Sequence, residues 1–340
     1  MADFDLKNEN PDSLAGEIGA GIEGLQQRIQ RYGKAKSRSL DVADFIRVRA
    51  GVQLPASVQL GAGVHLCERP PTAAERFAES LDKSQRRALR NLASSVANCG
   101  HYLEFRFHYT IDEVRLTKAY LCRRHLLCPL CAIRRGAKAL AAYLERWEYI
   151  KPEKTSLKPF LVTLTVKDGD DLAERFEHLY KSQRELWKAK QRGRGSVLDG
   201  VEGAVWSYEV KRGANSGSWH PHLHMIALAE SEPDQAQLSN EWHDITGDSF
   251  IVDVRPISQA DPVSGFIEVF KYAVKFSDQS PADTYHCHKV LGGRRLIGSA
   301  GVFRGVDIPD QLTDEPLDDL PYVRLFYRFI RGAYSQVTTT

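Results

Sequence analysis

The sequence predicts an α+β fold built on a central antiparallel sheet. Three observations lead there. Phe160, Val162, Leu164 and Val166 alternate with Leu161, Thr163 and Thr165, the period-two pattern of a strand with one wholly apolar face. Two more strand-like runs, about Ala204 to Lys211 and Trp219 to Ala229, are joined by Arg212-Gly-Ala-Asn-Ser-Gly-Ser218, a hairpin turn by composition. Helical periodicity fills the intervals, at 172 to 191, near 233 to 246 and from about Gly265 to Phe276, with a short strand at Phe250 to Arg255.

Upstream the chain is organised differently. With 340 residues, 42% of them hydrophobic and 26% charged, there is material for two or three folded domains. Lys and Arg total 46 against 44 Asp and Glu, so bulk charge decides nothing about nucleic acid and local charge must. The first ~20 residues are polar and acidic with no apolar h-region, so no secretory signal is expected and the segment reads as frayed. Arg28, Arg31, Lys34, Lys36 and Arg38 make a basic stretch, read as a solvated helix face. Gly and Pro recur from Gly51 to Pro71 as in a linker, and 73 to 97 is helical, with Phe77, Leu81, Leu89 and Leu92 on one side. The expected organisation is an N-terminal extension (1–70), a helical, cysteine-rich module (71–150), a catalytic domain (155–305) and a C-terminal tail (306–340). Apolar runs fall far short of the roughly 20 residues of a membrane helix. A cytoplasmic protein with no membrane partner is expected.

Six cysteines suit a reducing compartment and metal binding better than disulfides. Cys128-Pro-Leu-Cys131, with Cys99 and Cys122, is the thiol supply of a closed tetrahedral zinc site, with His108 and His125 as substitutes. Arg123, Arg124, Arg134 and Arg135 around it read as a phosphate-contacting surface. Cys67 and Cys287 are left as small core residues.

His220-Pro-His222-Leu-His224 places three imidazoles on one face of a strand and Leu223 on the other. Two imidazoles at that spacing can share a divalent ion. Counting back from a turn centred near Asn215, Glu209 falls about opposite residue 221, beside His222. As a third ligand its carboxylate favours Mg²⁺ or Mn²⁺ over zinc. His286-Cys-His288 would pair two more histidines if extended, but no apolar run backs it. On the helix expected from Gly265 to Phe276, Glu268, Lys271, Tyr272 and Lys275 share one face. Lys275, one turn after Tyr272, could supply the positive field a phenol needs to act as a nucleophile.

Phe160 to Val166, His220 to His224 and Glu268-Val-Phe-Lys-Tyr272-Ala-Val-Lys275, in that order, resemble the three motifs of HUH endonucleases. More narrowly they resemble rolling-circle plasmid replication initiators (Rep proteins). Cys99 to Arg106, Cys122 to Arg135 and Leu291 to Gly301 extend the likeness over about 99 to 305. The resemblance implies a DNA-nicking and strand-transfer enzyme whose HUH domain has a ferredoxin-like or RRM-like sheet. It makes His222 and His224 metal ligands, Tyr272 the nucleophile that leaves a 5′-phosphotyrosine and a free 3′-hydroxyl, and Glu268 the activator of water at termination. Its partners would be origin DNA, a host helicase and a DNA polymerase, with homodimerisation left open. A single-strand HUH transposase is the alternative within the class. A zinc-stabilised regulator without catalysis is the alternative outside it, although that would not need His222, His224 and Tyr272 together.

Overall fold

The computed structural model describes residues 14–17, 19–52, 81–193, 195–271 and 279–337. In chain order come a 3-10 turn (Ala15–Glu17), α1 (Ile22–Arg49), α2 (Lys83–Asn98), β1 (Tyr102–His108), β2 (Glu113–Ala119), α3 (Pro129–Ile150), β3 (Lys158–Thr165) and α4 (Leu172–Gln191). Then follow β4 (Val201–Arg212), β5 (Trp219–Ala229), α5 (Gln235–Thr246), β6 (Val252–Pro256), α6 (Pro262–Phe270), α7 (Pro281–Leu291), β7 (Ile297–Gly301), β8 (Val323–Ile330) and β9 (Ala333–Gln336). Two compact units result: Met1–Arg135 with Ser280–Tyr285 and Asp310–Thr340, and Gly136–Gln279 with His286–Pro309.

The second unit holds the sheet β6-β3-β5-β4-β7, antiparallel at every junction. From β3 to β6 the chain runs βαββαβ, the split arrangement of ferredoxin-like folds, and β5 is the middle strand. Its two helices start on aspartate caps. Asp171 accepts from the amides of Ala173 and Glu174, Asp234 from those of Ala236 and Gln237, and α5 stops at Gly247 with φ of 68°. Both helices cover one face of the sheet. Tyr208 of β4 meets Phe176 of α4 edge-on and donates to Gln183 Oε1 at 3.1 Å, while Trp242 of α5 donates to Thr165 O at 2.7 Å. The other face takes α6, anchored by a hydrogen bond from Ser207 Oγ to Val269 O and by Phe270 stacked on Tyr143 at 5.1 Å.

The helix expected from Gly265 to Phe276 ends at Phe270, where Lys271 turns extended with ψ of 150°. No Gly or Pro marks that stop, so the apolar spacing alone overran it. Tyr272 and Lys275 lie outside the described residues, as do Phe77, Cys67 and the linker expected from 53 onward.

In the first unit a second sheet, ordered β2-β1-β8-β9, packs one face on α1. The expected tail therefore supplies two strands, and the cysteine region supplies the other two. Alternation of Leu103, Phe105 and Phe107, and of Leu325, Tyr327 and Phe329, explains both, because each strand has one buried apolar row only when they pair.

The basic stretch is also not the solvated face expected of it. Arg28, Arg31 and Lys36 are buried. Glu17, itself buried, is met by Arg28 Nε at 3.3 Å, Arg31 Nη2 at 2.5 Å and Arg134 Nη1 at 2.9 Å, and it accepts from Tyr32 OH. Arg28 Nη2 reaches Asp314 at 3.2 Å, and Arg134, read as a phosphate contact, instead pairs with Asp314 and donates to Leu312 O at 2.8 Å. Burial alone would raise the Glu17 carboxyl, but the guanidinium groups of Arg28, Arg134 and Arg31 hold it below its ordinary value. Its contribution is therefore full above the ordinary carboxylate pKa, about 4.3, and is lost as pH falls through the lower native value. Glu17→Ala is expected to cost about 3–5 kcal/mol in urea unfolding at neutral pH, with the deficit shrinking in acid. An unchanged midpoint at pH 7 would refute this account.

Candidate metal centre

The hairpin of the second unit pairs Glu209 with His222, Ser207 with His224 and Lys211 with His220. Directly opposed residues share a face, so the carboxylate and the imidazoles converge. The sequence count placed Glu209 one residue off, opposite 221; the turn closes with Arg212 opposite Trp219, which shifts the centre by half a residue. His222 Nε2 lies 3.5 Å from Glu209 Oε1, and His224 Nε2 lies 3.5 Å from Glu209 Oε2.

The opposite ring nitrogens are turned toward the sheet: His224 Nδ1 meets Thr163 Oγ1 at 3.1 Å and His222 Nδ1 meets His220 O at 3.4 Å. Such outer contacts set which nitrogen faces a shared ion. Burial, the largest influence, and the neighbouring histidines hold His222 below its ordinary pKa, which favours the neutral, ligating form. One donor atom from each of the three residues falls within 4.8 Å of the others. Gaps of 3.5 Å exceed an ordinary hydrogen bond and approach the ~3 Å separation of neighbouring ligands around an ion with ~2.1 Å bonds. Two imidazoles and one carboxylate fit a divalent cation.

His220 stands apart from this cluster. Its Nδ1 lies 2.5 Å from Asp168 Oδ1, and Asp168 also accepts from Ser216 Oγ of the hairpin turn. Neither Asp168 nor Thr163 was singled out in the sequence; only the cross-strand register, Thr163 opposite His224, could have signalled the latter. Glu268 on α6 takes both ion-pair contacts of Lys271 Nζ, at 2.6 and 2.7 Å. His286 and His288 lie on helix α7, where residues two apart point to different sides, and His286 stacks on Trp219.

A second donor cluster lies in the first unit. Cys99, Cys122, Cys128 and Cys131 bring their sulfurs together, with separations of 3.4 Å (Cys99–Cys128), 3.5 Å (Cys99–Cys131) and 3.6 Å (Cys122–Cys131). Those gaps are far too long for disulfides and close to the ~3.8 Å edge of a tetrahedron with ~2.3 Å metal–sulfur bonds. The chain makes the approach with two positive-φ residues, Gly100 (63°) and Arg123 (59°). A side chain at Gly100 would collide with Leu130, 2.4 Å from an added Cβ. Backbone and α1 complete the surroundings: Cys122 N–H points at Cys99 Sγ (3.4 Å), Ser39 Oγ lies 3.4 Å from Cys128 Sγ, and Lys36 Nζ donates to Cys99 O at 2.7 Å. Four converging thiols suit a soft, tetrahedral ion. Cys287 is a buried core residue on α7.

Fold and clusters together define an α+β protein with two groups of converging metal-ligand donors. A family model described as "Replication protein" matches residues 113–323, more than half of the chain. The chain belongs to this Rep family of rolling-circle plasmid replication proteins. It is 27% identical over 256 residues to a "Protein rep" of Streptococcus pneumoniae serotype 2, covering 68% of this chain and 76% of that one. It is 27% identical over 223 residues to a "Protein rep" of Staphylococcus aureus, covering 60% of this chain and 94% of that one. A "Protein rep" of Lactiplantibacillus plantarum matches at 26% over 260 residues, 68% of this chain and 78% of that one. No solved structure matches. Among the described residues no helix is long and apolar enough to cross a membrane.

The two clusters should respond oppositely to mutation. His222→Ala with His224→Ala is expected to abolish Mn²⁺ binding in calorimetry while leaving the melting temperature within a few degrees, because the donors stand on the sheet face opposite the apolar core under α4 and α5. Cys128→Ser with Cys131→Ser should release a stoichiometric ion, read by elemental analysis, and lower the melting temperature sharply. Retained Mn²⁺ affinity in the first variant, or an unchanged melt in the second, contradicts the respective ligand set.

Proposed function

We propose that the chain initiates plasmid rolling-circle replication by nicking one DNA strand at the origin and transferring it to a tyrosine. The observation that carries this reading is the convergence of Glu209 of β4 with His222 and His224 of the middle strand, with α6 docked beside them through Ser207, the cross-strand partner of His224. Glu209, His222 and His224 would hold Mg²⁺ or Mn²⁺, and the four cysteines would hold Zn²⁺ as a structural brace. When bound at the histidines, the divalent ion supplies Lewis-acid polarisation of a phosphate.

This chain's residues do the rest. Tyr272 Oη attacks the scissile phosphorus as the bond to the 3′ oxygen breaks, leaving a 5′-phosphotyrosine and a free 3′-hydroxyl for a polymerase. The bond energy is conserved, so rejoining needs no ATP, and the sequence contains no phosphate-binding loop of the Walker type. Lys275, three residues on in sequence, would supply the positive charge that a phenol needs to act as a nucleophile. Glu268 accepts a proton from water in the closing step, when a second nucleophile must end the cycle. A host helicase and a DNA polymerase are the expected partners.

Incubation with a single-stranded origin oligonucleotide and Mn²⁺ tests the reading in one denaturing gel. Tyr272→Phe is expected to lose both nicking and the covalent adduct while DNA affinity stays within about tenfold, since only one oxygen is removed. An adduct that persists at another tyrosine, such as Tyr285, would overturn the assignment. Glu268→Ala should keep the first cleavage but yield replication products longer than one plasmid unit. Unit-length products from that variant would reduce Glu268 to a surface ion pair worth about 0.5 kcal/mol at most.

A further inference from the structure

The sheet of the first unit has one face on α1 and another that takes no part in either metal cluster. Leu103, Phe105 and Leu116 point into the core. Alternation sends Tyr102, Glu104 and Arg106 of β1 to the far side, together with their cross-strand partners Arg328, Phe326 and Arg324 of β8. The Tyr102 and Phe326 rings are near-parallel there, with centroids 5.8 Å apart and planes at 18°. Both rings are half-exposed, and Arg324 and Arg328 are exposed and form no ion pair among the described residues. They stand two residues either side of Phe326, about 13 Å apart along the strand.

The remaining charges on this face are engaged. Arg106 is held by Asp318 at 2.6 Å and lies 4.3 Å from the Tyr322 ring centroid, and Lys118 Nζ is 3.6 Å from Glu104 Oε1. That oxygen is buried and accepts no hydrogen bond among the described residues. Two open cations flanking a pair of aromatic faces make a poor surface for an apolar protein partner and a good one for an unpaired polyanion with flat bases. Aromatic rings stack bases without regard to sequence, and guanidinium groups on the same strand meet the phosphates between them.

We propose that this face binds single-stranded DNA, with bases stacked on Tyr102 and Phe326 and backbone phosphates at Arg324 and Arg328. The site lies in the zinc-type unit, is separate from the nicking residues, and would hold strand displaced during initiation. It rests on the reading of the chain as a protein that exposes single strands, and not on the metal centre.

The test uses the full chain and a labelled oligothymidylate without origin sequence, followed by anisotropy in buffer with neither added divalent metal nor chelator. Tyr102→Ala with Phe326→Ala is expected to weaken binding about tenfold or more, while Phe326→Trp retains it. Arg324→Gln with Arg328→Gln should flatten the slope of log affinity against log salt by about 1.4, the value for two phosphate contacts on a single strand. Circular dichroism and zinc content matching the parent establish that each variant is folded. Folded variants with parental affinity and slope overturn the proposal, and so does tighter binding to duplex than to single strand. If removing the rings changes the sedimentation of the free protein but not its DNA affinity, the face joins two copies of the chain and the proposal falls. Failure of the nicking reading would appear instead as a missing Tyr272-dependent adduct in the parent chain, with this binding untouched.

Discussion

The register of β4 against β5 decides whether the second unit has a site at all. Side chains on a strand alternate with period two, so a slip of one residue would carry Glu209 to the side of Tyr208 and leave His222 opposite an apolar residue. Two features guard against the slip. Every second residue of both strands is committed to the face under α4 and α5, where Tyr208, Leu223 and Met225 are buried. The turn is pinned as well: Asp168, just beyond β3, accepts from Ser216 in the loop and pairs with His220 at the start of β5. The donors converge because hydrophobic burial on one face fixes what stands on the other.

The first unit solves a different problem with charge. Its helix α1 carries more basic residues than a core position normally tolerates, and burying an unpaired guanidinium is prohibitive. Glu17 and Asp314 neutralise Arg28, Arg31 and Arg134 from segments nearly 300 residues apart in sequence. Such a network contributes less to net stability than an apolar core of equal volume would, but it penalises any arrangement that separates its members. Specific placement is its effect, and α1 in turn presents Lys36 and Ser39 to the cysteine cluster.

Much of the second unit was legible because its signals are local. Phe160 to Val166 shows its buried row directly, the hairpin announces itself in Gly213 to Ser218, and the three histidines declare one face by spacing alone. Glu209 was found by counting back through the turn, and missed its partner by one residue because a loop's centre cannot be read from composition. The first unit's sheet was missed for the opposite reason: Leu103, Phe105 and Phe107 alternate openly, but the strand that pairs with them, β8, lies more than 200 residues away. Arg28, Lys36 and Arg134 looked like surface residues because charge alone does not reveal burial; the partners that permit it lie far along the chain. The end of α6 at Phe270 left no trace because nothing in its sequence breaks a helix.

The interleaving of the two units along the chain has a consequence for how the molecule is made. All strands of the second unit's sheet lie between Lys158 and Gly301, and they are complete before β8 and β9 are made. The other sheet lacks its third and fourth strands, and the charge network lacks Asp314, until residues 314 to 336 emerge. Synthesis at roughly 5–20 residues per second therefore separates the two folding events by seconds. During that interval β1 offers an unpaired edge and α1 carries guanidinium groups with half of their counter-charge. A nascent chain in this state is the one most exposed to misassembly, and the arrival of β8 and β9 is the event that closes it.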